Sequence, residues 1–337
     1  MSNFSSDPDF SYHDMGKGEY SKKDNYFIHI LLFIVTFVTT TIAGTHWILG
    51  YGAGFEFTQL AVGLPYSISI LFILSVHEFG HYFASRFHRV KASLPFFIPF
   101  PALDGFLNFG TLGAVIKTKS AVGNKTALFD IGIAGPVAGF IASLIVLVWG
   151  FTHLPGVDYI LAIHPDYFDP NYGTGSLHLE FGDTLLFVML REIFTSGSDF
   201  VPPMSEIYHY PYLCVGWFGL FVTALNMIPV GQLDGGHISY AMFGEKIHFK
   251  IASICMIILT LFGVSGFVAS FFEWNFSFGW SGWFFWAIIL FFIIKVKHPP
   301  VLDETPISKR RRILGYISFA IFIISFSPAP FTIGFGI

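Results

Sequence analysis

Charged side chains are scarce in this 337-residue chain, where Asp, Glu, Lys and Arg together make up 12%. That is about half the share found in a soluble globular domain. Hydrophobic residues reach 53%, so the chain cannot dress a large surface for water, and the composition excludes a soluble enzyme. Apolar runs spread from residue 26 to the C-terminus leave no stretch long enough for a sizeable soluble domain. One integral membrane domain over residues 26–337 is expected. The formal net charge of −4 names no partner, because with so few charges their positions matter more than their sum. No nucleic-acid partner is expected.

Cysteine is nearly absent too. Cys214 and Cys255 both lie inside apolar runs, which excludes a disulfide framework and reads as two buried free thiols. The first 25 residues lack an apolar core, a small-residue cleavage site and an Arg-rich pattern, so they resemble neither a secretory signal nor a transit peptide. They read as a disordered cytoplasmic tail. The missing transit peptide favours the inner or plasma membrane of a prokaryote.

What the chain has in abundance is long apolar segments. A span needs about 20 such residues, and segments 26–44, 62–87, 128–151, 212–230, 251–272, 280–294 and 313–331 approach that length. The expected fold is an all-α polytopic membrane protein of about seven transmembrane helices, six to eight in range. The sixth is short, and its Trp280, Trp283 and Trp286 suit an interfacial anchor as well as a span. A 13-residue run at 182–194 carries Arg191 and reads as an interfacial or re-entrant helix. With the N-terminus placed in the cytoplasm, 17 of the 18 Lys and Arg residues fall on the inner side, the asymmetry that orients membrane proteins.

Two loops differ from the rest. Residues 88–127 are rich in Pro and Gly yet apolar, which suits a small membrane-associated β element between spans two and three. "TLGAVIKT" at 111–118, β-branched and bounded by turn residues, is its best strand. The outer loop, 152–211, is acidic and holds His153, His164, His178 and His209 without ligand-like spacing. It reads as irregular outer surface.

Ionisable residues inside a span are costly, and they mark function by default. In "SVHEFGHYFASRF" at 75–87, His77 and His81 stand four apart. On a helix they share one face a turn apart and can grip one metal ion. Zinc suits the pair because it takes imidazole ligands and lowers the pKa of bound water, and Glu78 beside them can exchange protons with that water. A hydrogen-bonded histidine pair in a bundle is the plain alternative. A catalytic zinc normally has three protein ligands, but the position ten residues after His77 is Phe87, and His88 lies two turns from His81. "NMIPVGQLDGGH" at 226–237 offers Asp234 in a Gly-rich turn with no basic neighbour before Lys246. A metal would explain that carboxylate, while an ordinary Asp-Gly turn remains open. Spans two and four both end on the cytoplasmic side, at similar depth.

"HEFGH", "FDIGIAGPVAG" at 129–139, "NMIPVGQLDGGH" and the stretch from "KHPPVLDETPISKRRR" onward together resemble the site-2 protease family of intramembrane zinc metalloproteases. The likeness is to the branch without a PDZ domain, which includes plant chloroplast and prokaryotic members, and it covers most of residues 62–331. It implies one catalytic Zn2+ held by His77, His81 and Asp234, with Glu78 as general acid/base. Asn226 matches the family's Asn upstream of the acidic motif, and it would help hold the substrate or its oxyanion. The implied partners are the lipid bilayer and a transmembrane protein substrate, intact or already trimmed by another protease. An edge strand at 111–118 would pair with the unwound substrate.

Two other classes share some of these features. A zinc transporter places His and Asp in spans but has no need of Glu78. A membrane di-iron desaturase or hydroxylase needs several histidine boxes, and among 13 histidines only one H-x-x-x-H pair exists.

Overall fold

A computed structural model describes residues 25–50, 57–101, 108–174, 177–272, 274 and 278–335. The tail expected to be disordered, 1–25, lies outside them apart from Asn25. In chain order the elements are α1 (Tyr26–Leu49), α2 (Leu64–Phe87), β1 (Phe96–Pro99), β2 (Thr111–Val115), α3 (Lys125–Thr152), α4 (Val157–Ile163) and β3 (Leu177–Phe181). Then follow α5 (Leu185–Phe194), α6 (Pro211–Met227), α7 (Asp234–Phe243), α8 (Glu245–Phe271), α9 (Gly282–Ile289), α10 (Lys309–Ser325) and β4 (Phe331–Phe335).

Helix starts follow local chemistry. The Asn124 side chain accepts a hydrogen bond from the Ala127 amide at 2.8 Å and caps α3, and Thr184 caps α5 through the Phe187 amide at 3.1 Å. Proline opens α2 and α6, where its missing N–H costs nothing.

Each of the seven apolar segments is mostly helical, but length separates them. Four helical stretches, 26–49, 57–87, 125–152 and 245–271, are long and apolar enough to cross a membrane. The expected count of seven is therefore not reached by length and composition. At 17 residues, α6 rises only about 26 Å against a hydrocarbon core of about 30 Å. The last expected span also ends early: α10 stops at Ser325, because Pro328 and Pro330 cannot continue a helix.

Two small sheets accompany the helices. β1 and β2 pair antiparallel with a bulge between Phe97 and Pro99, so the β element lies where the sequence put it. The outer loop departs from the irregular surface expected of it. Its α5 falls in the run 182–194 where a helix was expected, but α4 and β3 were not expected, and β3 pairs antiparallel with β4 from Leu177↔Phe335 to Phe181↔Phe331. Strands so far apart in sequence share no hairpin turn, so neither announces the other.

The core lies among α2, α3 and α6. In the N-terminal half of α6, Trp217 packs edge-on against Phe181 and Phe331, with ring centroids 4.9 and 5.2 Å away, and its Nε1 donates to the Gly182 carbonyl at 2.9 Å. The second sheet thus caps that end of the bundle. Phe27, Ile30 and Ile34 of α1 and Ile257 and Leu261 of α8 are exposed, as acyl-chain contact requires of apolar faces this extensive.

Candidate metal centre

His77, Glu78 and His81 lie on α2 and are 5%, 7% and 7% exposed. His77 stands ten residues before the helix end at Phe87, or about 15 Å at helical rise. Asp234 arrives from the other side of the cluster. After α6 ends, Pro229 and Gly231 turn the chain, with Gly231 at φ 52°, a region that favours glycine. Asp234 then opens α7, where the partial positive charge of a helix N-terminus favours a carboxylate.

The three side chains meet. The His77 and His81 Nε2 atoms are 3.1 Å apart, and Asp234 Oδ2 lies 3.6 Å from the first and 3.3 Å from the second. Three ligands held tetrahedrally at about 2.0–2.1 Å from one zinc ion stand roughly 3.3 Å from each other. The donor set therefore fits zinc. His81 Nδ1 donates to the Ile131 carbonyl at 2.8 Å, which orients the ring and leaves a lone pair on Nε2 when the ring is neutral.

Helix α3 supplies empty space for the two rings. A Cβ on Gly135 would stand 2.1 Å from His81 Nε2, and one on Gly139 would stand 2.9 Å from His77 Nδ1. Both glycines are four apart, as the histidines are, and the helices pack so that Gly139 faces His77 and Gly135 faces His81. In the sequence, this stretch stands out only by its likeness to a family. The matched spacing was the available signal.

The remaining candidates lie around this centre. Glu78 follows His77 directly on α2, which packs against β2. Asn226, in the last turn of α6, is half-buried. His237 pairs with His298, Nδ1 to Nε2 at 2.7 Å. His88 Nε2 bonds Asp130 Oδ2 at 2.8 Å. Asp130 also accepts two bonds from Arg311, from Nε at 2.7 Å and Nη2 at 2.8 Å, which clasps α2, α3 and α10 together near the centre.

Comparison with known proteins bears on the same region. The model of Peptidase family M50 matches residues 65–266. "Probable zinc metalloprotease EGY2, chloroplastic" of Oryza sativa subsp. indica is 29% identical over 265 residues, covering 77% of this chain and 41% of that protein. Its namesake in Arabidopsis thaliana is 26% identical over 275 residues, covering 80% and 42%. "Probable zinc metalloprotease EGY1, chloroplastic" of Arabidopsis thaliana is 32% identical over 202 residues, covering 59% and 34%. The chain spans about two-fifths of the length of the first two relatives. No solved structure matches.

Proposed function

The chain belongs to peptidase family M50, and from that premise we propose that it is a zinc metalloprotease that hydrolyses peptide bonds within or near transmembrane segments of other proteins. The observation that carries this reading is the buried donor set of His77, His81 and Asp234 with Glu78 directly beside it. Those three side chains would hold the ion. When bound, zinc polarises a carbonyl and lowers the pKa of water.

The chain's own residues do the rest. Glu78 takes a proton from the attacking water and returns it to the leaving nitrogen. The Asn226 amide donates to the developing oxyanion or holds the substrate beside it. Burial keeps bulk solvent from the reacting groups, while the nearby end of α2 leaves a short route for water. A substrate helix must unwind before its carbonyls are free. β2 pairs with β1 on one side, and its other edge is assigned to the extended substrate, whose main-chain bonds then replace those lost on unwinding. The distribution of basic residues supports a cytoplasmic side for the end of α2 nearer His81.

The test is Glu78→Gln, followed by proteomics of membrane-protein fragments released by each form. Loss of fragments with zinc content unchanged is expected. Undiminished cleavage by the variant would rule out Glu78 as the base. A zinc transporter would keep its activity without Glu78, so the same variant separates the two readings.

A further inference from the structure

At the other end of α6, two histidines and a glutamate converge from segments with no motif between them. His164 closes α4, and Glu206 and His209 lie just before α6. His164 Nε2 is 3.0 Å from His209 Nε2, and Glu206 Oε2 is 3.5 Å from the same His209 atom. The ligand atoms of all three lie within 4.8 Å of one another. The 17 residues of α6 put this cluster roughly 26 Å from the end near Asp234.

The hydrogen-bond pattern is incomplete without something at its centre. His209 is fully buried, and its Nδ1 donates to the Ile48 carbonyl at 2.6 Å. With a proton on Nδ1, Nε2 of the neutral ring is an acceptor, and His164 Nε2 lies 3.0 Å from it. Glu206, 4% exposed, turns Oε2 toward His209 Nε2, and this buried oxygen has no hydrogen-bond partner among the described residues. Its other oxygen accepts from the Tyr172 hydroxyl at 3.3 Å. Of the cluster's donor atoms, Oε2 is the one left unpaired among the described residues, and it points at the two imidazole nitrogens. An unpaired buried carboxylate oxygen is costly. A cation bound there would take this oxygen and the two imidazole nitrogens as ligands and remove that cost.

We propose that His164, Glu206 and His209 form a second divalent-cation site of the zinc class. Two imidazole nitrogens and one carboxylate oxygen are borderline donors that zinc accepts. The spacings of 3.0 and 3.5 Å bracket the roughly 3.3 Å expected of ligands around one zinc ion. The role is structural, because the neighbours bind and pack. The Tyr208 and His209 ring centroids are 4.1 Å apart, and the Tyr159 hydroxyl donates to the His209 carbonyl at 2.7 Å. The ion would tie the end of α4 to the turn before α6, and through Ile48 to α1.

The experiment uses the purified full chain in detergent, stripped with a chelator, reloaded with zinc and freed of excess, with metal content measured by mass spectrometry. Two equivalents per chain are expected in the wild type. One is expected in His164→Gln, in the near-isosteric Glu206→Gln and in Asp234→Ala. The equivalent that remains in the His164 and Glu206 variants reports that the rest of the chain is folded. Cobalt loading gives a second readout, since each of those variants should remove only part of the visible d–d absorption. A single equivalent in the wild type, lost in Asp234→Ala and untouched in His164→Gln and Glu206→Gln, would overturn the proposal. It would leave Glu206, whose carboxyl burial pushes up to about 7, as a neutral acid bonded to His209.

Discussion

The two ends of α6 carry nearly the same donor set in different surroundings. Near Asp234, two imidazoles 3.1 Å apart meet a carboxylate. Near His209, two imidazoles 3.0 Å apart meet another. In each, one histidine is fixed by a backbone carbonyl, Ile131 for His81 and Ile48 for His209. The difference lies in what stands next to the donors. The first cluster has Glu78 free of the donor set and two glycines that leave room beside the rings. The second is walled by Tyr159, Tyr172 and Tyr208, with no second carboxylate assigned to proton transfer. Ligand identity gives a place for an ion, and the neighbours decide whether chemistry follows.

The same conservative change at each end tests this distinction most severely. Glu78→Gln should lower hydrolysis by about 10²–10⁴-fold, the range for loss of a general acid/base, and keep both zinc equivalents. Glu206→Gln should keep hydrolysis and lose one equivalent. Assay of a membrane substrate beside metal analysis reads both. If the two variants behave alike, the contrast between the clusters fails.

Gly135→Ala asks whether empty space is part of the first cluster. The added methyl would stand 2.1 Å from His81 Nε2, too close to coexist with the ring in place. Zinc content should fall to the single equivalent of the other end, with hydrolysis lost alongside it. A fully loaded, active Gly135→Ala protein would mean that α3 shifts freely against α2.

Much of the first cluster was legible in the sequence, and almost none of the second. His77 and His81 belong to one helix, so helical periodicity alone places them together. Asp234 was suspected because a lone carboxylate in an apolar, glycine-rich turn needs a partner. His164 and Glu206 meet only because α4, the strand pair β3 and β4, and the start of α6 fold over one end of the bundle. No local pattern encodes that meeting. The same contrast holds for the fold. β2 was readable from its own β-branched residues and flanking turns, whereas the partner of β3 lies at the far end of the chain. Counting apolar residues found every long helix. Its last segment runs past the end of α10 because Pro328 and Pro330 were not weighed as helix stops.

Substrate handling gives a finer test at the first end. Val115→Pro removes a backbone N–H from β2, which bars regular pairing there. Cleavage of a helical membrane substrate should fall about tenfold or more, as expected if 1.4 kcal/mol or more of pairing energy is lost. A short peptide that is already extended should lose less, and zinc content should not change. Equal losses on both substrates would assign β2 to the architecture of the site and remove it from substrate unwinding.

Stability should show the smallest effects, and it separates the ends by what holds them. At the second end, zinc at a hundred times its dissociation constant should add about 2.7 kcal/mol. This increment should vanish in His164→Gln and persist in Asp234→Ala. At the first end, the clasp of Asp130 with Arg311 and His88 needs no ion. Replacing Arg311 by Gln leaves the Asp130 carboxylate half-buried with only His88, and the loss of charge-assisted bonds should cost about 1–3 kcal/mol. Thermal unfolding of the loaded protein should register that loss with both zinc equivalents still bound. Because Asp130 precedes Ile131, whose carbonyl orients His81, loss of zinc together with stability would make the clasp part of the metal centre.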